Sequence, residues 1–288
     1  MRRRAILAAD MPTPTVMRDG LAVYVIGTGE PVLLMPGPHR FQRPGLRTAD
    51  ALIAGLTGLG RAVVTFDPPG SGASTRPARL GMAEMRGCAD EALAAAGAPE
   101  RVDALGHSMG GLALLDYALD RPARIRRMVL IGTGSGGYRH APGALWNRTH
   151  PHFARLAMLG SLHLLVPRLA TERILNNLIE RESYCDKALA HPAPVSATDW
   201  LCAPRGRADW HRIARKLEFG PRLAELDAAV LILCGRHDPQ FPPSCSNQLA
   251  TGIRRSELIF FERSGHYPFI EEGAFWSAVG TFLARTTG

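Results

Sequence analysis

Residues 102–111 read VDALGHSMGG. The apolar run 102–105 predicts a strand, and 112–119 predicts a helix buried on most sides. Between them Ser108 stands among Gly106, Gly110 and Gly111. A strand that turns straight into a helix forces the residue at the bend into unfavourable φ/ψ and brings the two backbones close, so flanking side chains must be absent. The pattern G-x-S-x-G in that strand–turn–helix setting holds a serine hydroxyl out at the end of a buried strand. The amide of Met109, at the helix start, would point at negative charge developing on a group attached to that serine, and the helix dipole adds to it.

Outward from this stretch the same rhythm repeats. Residues 13–18 and 21–26 read as two strands joined by Asp19-Gly20, a two-residue hairpin turn. A strand at 32–35, a helix at 48–59 closed by Gly60, a strand at 62–66 and a helix at 82–96 follow. After the strand at 102–105 and the helix at 112–119 comes a strand at 125–131. The alternation stops at Gly132, giving way to a stretch rich in histidine, arginine and proline with helical patches at 174–182 and 210–217. It resumes with a strand at 230–234, a helix near 244–253, a strand at 258–261 and a helix at 275–284. Continuous apolar strands alternating with helices imply a mostly parallel sheet covered on both faces. The expected organisation is a core of 1–132 and 223–288, interrupted by a helical insertion at 133–222.

Composition narrows the function classes. The 288 residues are 46% hydrophobic, enough for one sizeable core with an inserted unit. The formal charge is +8, carried almost wholly by arginine, since Lys187 and Lys216 are the only lysines. The arginines are scattered singly and no basic stripe alternates with aromatics, so no nucleic-acid partner is expected. Arg2-Arg3-Arg4 reads as a solvated terminus, and the apolar run 5–9 is too short for a signal peptide. No window approaches the roughly 18 apolar residues that span a bilayer, so no membrane partner is expected either. Five cysteines, Cys88, Cys185, Cys202, Cys234 and Cys245, form no C-x-x-C pair and adjoin no ligand cluster. A reduced, cytoplasmic protein without metal or cofactor is the expectation, as a monomer or homodimer because no exposed apolar stripe is evident.

A serine hydroxyl is a poor nucleophile until a base takes its proton, and the base needs an orienting acid. Both appear later at predicted strand ends: Asp238 after LILCG, and His266 after LIFFERSG. In a parallel sheet all these ends lie on one edge, so residues far apart in sequence can converge there. His107 and His237 adjoin the three; their alternating positions are read as facing elsewhere, so that they support the three from outside.

FDPPGSGAST (66–75), GHSMGG (106–111), GRHDPQFPP (235–243) and ERSGHYPF (262–269) together resemble the α/β-hydrolase superfamily, and within it proline iminopeptidase-type serine hydrolases. The resemblance covers roughly 15–132 and 223–288. It implies an α/β-hydrolase sheet with flanking helices and an inserted helical cap, Ser108 as nucleophile, His266 as base and Asp238 as its orienting acid. It also implies hydrolysis of a small amide or ester through an acyl-enzyme, with a small molecule or short peptide as substrate. One stretch departs from the family: Met35-Pro36-Gly37-Pro38-His39 has Pro36 where the family usually has histidine. Pro38 lacks an N–H, so the second oxyanion donor beside Met109 is the amide of Gly37 or of His39, or the hole is weakened.

An insertion at 133–222 would sit over the site, exclude water and shape the pocket. From 139 to 222 it holds 13 Lys+Arg, 7 Asp+Glu and six histidines. A solvated basic surface is one reading and attraction of anionic substrates the other. An aminopeptidase would also need a carboxylate for the substrate amino group. Glu172, Glu180, Glu182 and Asp186 are the candidates, with Glu182 and Asp186 able to share a helix face at i and i+4. Trp146, Phe153, Trp200 and Trp210 could line the pocket or form the insertion's own core; Trp146 and Trp200 are taken as pocket residues. Alternatives to an iminopeptidase are an esterase, lactonase or thioesterase, a non-hydrolytic lyase or cyclase, and a silent small-ligand receptor.

Overall fold

The computed structural model describes residues 12–37, 44–77, 81–138, 141–165, 169–190, 213 and 216–285. Residues 2–10, His39, Trp200, Cys202 and Trp210 lie outside the described residues, as does nearly all of the helical patch expected at 210–217.

Eight strands form one sheet in the order β1-β2-β4-β3-β5-β6-β7-β8. The hairpin β1 (Val16–Arg18) and β2 (Leu21–Ile26) is antiparallel, and β2 pairs antiparallel with β4 (Arg61–Phe66). From β4 the sheet is parallel through β3 (Glu30–Met35), β5 (Val102–His107), β6 (Ile125–Ile131), β7 (Ala229–Gly235) and β8 (Ser256–Phe261). Asp19 at φ 45° and Gly20 at φ 78° supply the two left-handed residues that the hairpin turn needs.

The parallel strands read as unbroken apolar runs because each face of the sheet has its own core. Leu33, Val64, Ala104, Met128 and Ile232 enter one core, while their neighbours Leu34, Val63, Leu105, Val129 and Leu231 enter the other. Helices α2 (Met82–Ala95) and α3 (Met109–Asp120) cover the first face. Helix α1 (Arg47–Gly58) and the C-terminal α8 (Ala274–Leu283) cover the second. Burying a Leu, Val or Phe side chain in this way contributes about 1.5–3 kcal/mol, so the two-sided burial of five strands dominates the fold.

The chain runs from β3 to β4 on one side and then to β5 on the other side of β3. This reversal opens a crevice at the carboxyl ends of β3 and β5, where open α/β sheets bind ligands. Ser108 follows β5 directly, and Met35 at the end of β3 pairs with Gly106.

Between β6 and β7 the chain leaves the sheet and forms α4 (Phe153–Leu165) and α5 (Leu169–Ser183). The two ends of this inserted segment meet, with Gly136 bridging Glu218 and Phe219 N–H donating to Ser135 O at 2.6 Å. Leu156, Leu159 and Leu178 form its own small core with Leu145, and Trp146 packs against them. The opposite side of α4 exposes Met158, Leu162 and Leu165, the last 81% accessible. This corrects the expectation of no exposed apolar stripe. Leucines lie on both sides of α4, so its apolar spacing alone does not tell which of them face solvent. Helices α6 (Pro243–Gly252) and α7 (Pro268–Glu271) complete the fold around β7 and β8.

Strand β5 and helix α3 can meet only because Gly106 has no side chain: a Cβ there would stand 2.7 Å from Gly110 O and 2.8 Å from Gly111 Cα. Both neighbours are backbone and cannot rotate away. Gly106→Ala should therefore lower unfolding free energy by about 1–3 kcal/mol in urea denaturation. Gly58→Ala, in α1 with nothing within 4 Å, should be neutral or stabilising by up to about 1 kcal/mol.

Candidate active site at the carboxyl edge of the sheet

Ser108 has φ 55° and ψ −121°, and with Asp19 it is one of two non-glycine residues at positive φ among those described. Such a backbone costs about 1–3 kcal/mol and persists only where its surroundings hold it. Here Ser108 N–H donates to Ile131 O at 2.8 Å, while Ser108 O accepts Thr133 Oγ1–H at 2.7 Å and Gly111 N–H at 3.0 Å. Gly111 admits Thr133, since a Cβ there would come within 2.6 Å of its Cγ2. Met109 is the first residue of α3, so its N–H has no carbonyl one turn earlier in that helix to bind. The β3–β5 ladder ends at the pair Met35–Gly106, and Gly37, two residues past Met35, is buried.

His266 and Asp238 arrive from the ends of β8 and β7. His266 Nδ1 lies 2.8 Å from Asp238 Oδ2, with both side chains almost wholly buried. The other carboxylate oxygen of Asp238 accepts the N–H groups of Gln240 at 2.8 Å and Phe241 at 3.0 Å. Because Nδ1–H is given to Asp238, Nε2 of His266 is left to accept a proton. Ser108 is joined to this pair through β6. Its N–H binds Ile131, and a Cβ on the next residue, Gly132, would stand 2.9 Å from Asp238 Oδ2 and 3.2 Å from His266 Nδ1. Ser108, His266 and Asp238 are thus brought to one edge, around Gly132.

His107 does not face elsewhere, as read from the sequence. Its ring lies 4.5 Å from that of His266, and its Nε2–H donates to His266 O at 3.0 Å. It shares the face of β5 that Leu105 presents, and there it packs against Tyr267 and Phe269. His237 is exposed, as expected.

The inserted segment reaches this edge through α5, but not by the acids chosen from the sequence. Glu182 lies 3.5 Å from His152 Nε2 and 3.7 Å from Lys187 Nζ. Asp186 accepts Ala188 N–H at 2.9 Å, capping a short turn at Lys187–Leu189. Trp146 sits against the segment's own core. The carboxylate that meets the site is Glu180, whose Oε2 accepts Tyr267 O–H at 2.9 Å, one residue from His266. Two positions along a helix are about 200° apart, so Glu180 and Glu182 could not both face the sheet. The side chain of Glu172 lies outside the described residues. Burial pushes the Glu180 carboxyl up, against the opposing pull of the Tyr267 hydroxyl, His266 and Arg47. Burial also drives Tyr267 well above its ordinary value, with Glu180 adding to the rise. Arg47 of α1 donates to Tyr184 O–H at 3.1 Å and to Leu189 O at 2.7 Å, fastening the segment to the core.

Sequence reasoning treated Gly132 only as a boundary and did not single out Ser183 or Gln240. The signal for Gly132 was its place at the end of an apolar strand on the edge that carries Ser108. The four described cysteines are free, and burial raises the Cys234 and Cys245 thiols to about 12, so neither is a nucleophile near neutrality. Among the described residues no group of His, Cys, Asp or Glu could hold a metal, and no helix is long and apolar enough to cross a membrane.

A family model described as the α/β hydrolase fold matches residues 44–156. A 2-hydroxy-6-oxononadienedioate/2-hydroxy-6-oxononatrienedioate hydrolase of Klebsiella pneumoniae subsp. pneumoniae is 30% identical over 205 residues, which are 65% of this chain and 63% of that protein. The chain thus matches less than two thirds of this relative's length. Among solved structures, an alpha/beta fold family hydrolase from Bacillus anthracis str. Sterne superposes with a TM-score of 0.76 at 17% identity, covering 91% of this chain and 94% of that one. An esterase from Exiguobacterium antarcticum gives 0.69 at 19% identity, covering 92% and 96%. This chain has the α/β-hydrolase fold.

The raised Glu180 carboxyl makes a signed prediction. A folded value above the ordinary 4.5 means its contribution to stability is whole below that pH and is lost as pH rises through the folded value. Glu180→Gln keeps an acceptor for Tyr267 but cannot ionise. Its stability relative to the parent, from urea midpoints, should be higher at pH 7 than at pH 4; the reverse order refutes the assignment.

Proposed function

We propose that the chain is a serine hydrolase that cleaves a small acyl compound through an acyl-enzyme on Ser108. The observation that carries this reading is the 2.8 Å bond between His266 Nδ1 and Asp238 Oδ2 beside a serine at positive φ. In the proposed reaction Ser108 Oγ forms a bond to the substrate carbonyl carbon while His266 Nε2 takes its proton. The carbonyl electron pair moves to oxygen, where Met109 N–H receives it, joined by Gly37 N–H. What supports Gly37 over His39 is its place two residues past Met35, as Ser108 is two residues past the Gly106 that Met35 pairs with. The intermediate then collapses, the bond to the leaving group breaks, and His266 returns the proton to the leaving atom. Water repeats the sequence on the acyl-enzyme and frees Ser108.

The inserted segment 133–222 is read as a cap over this site, supported by the contact of Glu180 with Tyr267. The Klebsiella relative's name contains an oxo acid, which supports a ketone carbonyl as the electrophile. A second reading, an iminopeptidase-like enzyme for an N-terminal proline or similar residue, is favoured by one observation, the half-buried Glu180 carboxylate on the cap side.

A panel of p-nitrophenyl acetate and butyrate, a 2-hydroxy-6-oxo dienoic acid and prolyl p-nitroanilide separates these readings. Turnover of an ester or the oxo acid is expected, falling roughly 10⁶-fold in Ser108→Ala. Preference for the prolyl amide selects the second reading. Equal turnover by the parent and Ser108→Ala overturns the mechanism, and silence on the whole panel points to a non-hydrolytic lyase or cyclase.

A further inference from the structure

The geometry assigns to Ser183, the last residue of α5, a positioning role for both His266 and Asp238, and this rests on the hydrolase reading above. Ser183 is fully buried. Its carbonyl accepts the backbone N–H of His266 at 2.6 Å. Its Oγ accepts Gln240 Nε2–H at 2.8 Å, and its own hydroxyl proton goes to Ile179 O at 2.6 Å, one turn back in α5. Gln240 in turn gives its backbone N–H to Asp238 Oδ1 at 2.8 Å. The bond from His266 to Asp238 closes these contacts into a ring of four residues: Ser183, His266, Asp238 and Gln240.

A single bond to Asp238 would leave the imidazole free to tilt with whichever loop moves. The ring instead ties the loop after β7 and the loop after β8 to one residue of the inserted segment. The joint is reinforced on its outer side. Glu271 Oε1 accepts Cys185 N–H at 2.7 Å and Asp186 N–H at 3.2 Å, while its Oε2 accepts Gly265 N–H at 2.7 Å. Gly265 is required at this contact, because a Cβ there would stand 2.2 Å from Ser183 O. Ser183 suits the position because its hydroxyl donates within α5 and still accepts from Gln240. Alanine leaves the Gln240 amide without that acceptor.

The test uses the full chain, ¹⁵N-labelled at histidine, as Ser183→Ala, Gln240→Ala and the double variant. Two readouts are followed: the downfield ¹H NMR signal of the His266 Nδ1 proton held by Asp238, and kcat and KM on the ester that the parent turns over. Each single variant should lower kcat about 10- to 100-fold through misplacement of the base, with KM changing by no more than about twofold. Each should also broaden that signal or move it upfield, because a loosened Asp238 holds the Nδ1 proton less firmly. The double variant should be no worse than either single, since both break the same bond. Gln240 is partly exposed, so Gln240→Ala decides the matter even where Ser183→Ala fails to fold. A parental kcat and an unmoved signal in Gln240→Ala, or additive losses in the double variant, overturn the assignment. The signal needs no turnover, so its outcome is distinct from the fate of the hydrolase reading, which Ser108→Ala decides.

Discussion

The backbone of Ser108 at φ 55° is the constraint on which the rest of the carboxyl edge depends. A residue in that conformation relaxes unless its amide and carbonyl are held and its neighbours stay out of the way. Both conditions are met here. Ile131, Thr133 and Gly111 hold the backbone, and Gly106 lets β5 and α3 approach without a Cβ between them. The strain, about 1–3 kcal/mol, is small beside the burial of the two-faced sheet, so a large apolar core can carry it.

The same edge shows why the sheet is parallel here. Parallel strands end together, so side chains that follow β5, β6, β7 and β8 meet without any long side chain having to reach. Gly132 after β6 sits under the Asp238–His266 pair, and a methyl group there would touch both. The inserted segment is not uniform in its attachment. The end of α5 is bonded through Ser183, Glu180 and the Glu271 joint to the loop that carries His266. Helix α4, in contrast, turns Met158, Leu162 and Leu165 to solvent. Opening at the end of α5 would break the bonds that hold His266.

The strands and helices of the core were legible because each is a local periodic pattern. Helix 48–59 is observed as Arg47–Gly58, and strand 230–234 as Ala229–Gly235. The Asp19-Gly20 turn was legible because only a few residues accept positive φ. The choice among Glu180, Glu182 and Asp186 was not, since all three lie near the end of one amphipathic stretch. Which of them faces the sheet depends on how far α5 has rotated when it docks. His107 keeps the alternation of β5 and shares the face of Leu105; that the His266 loop packs on that face is decided by the loop after β8, which no pattern along β5 records.

By itself the sequence determined the two-faced sheet, the bend at Ser108, and the placement of Asp238 and His266 at strand ends. Each of these follows from residue type and near-neighbour spacing, which act over a few positions. Only the tertiary structure decided that Gly132 would floor the site, that Glu180 rather than Glu182 would reach Tyr267, and that Ser183 would bond to both loops. Those outcomes depend on contacts between residues far apart in the chain, such as Ser183 with Gln240, 57 positions on, and Glu180 with Tyr267, 87 positions on. No local pattern encodes the rotation or height at which one packed element meets another; that is set when the side chains of both close on a common core.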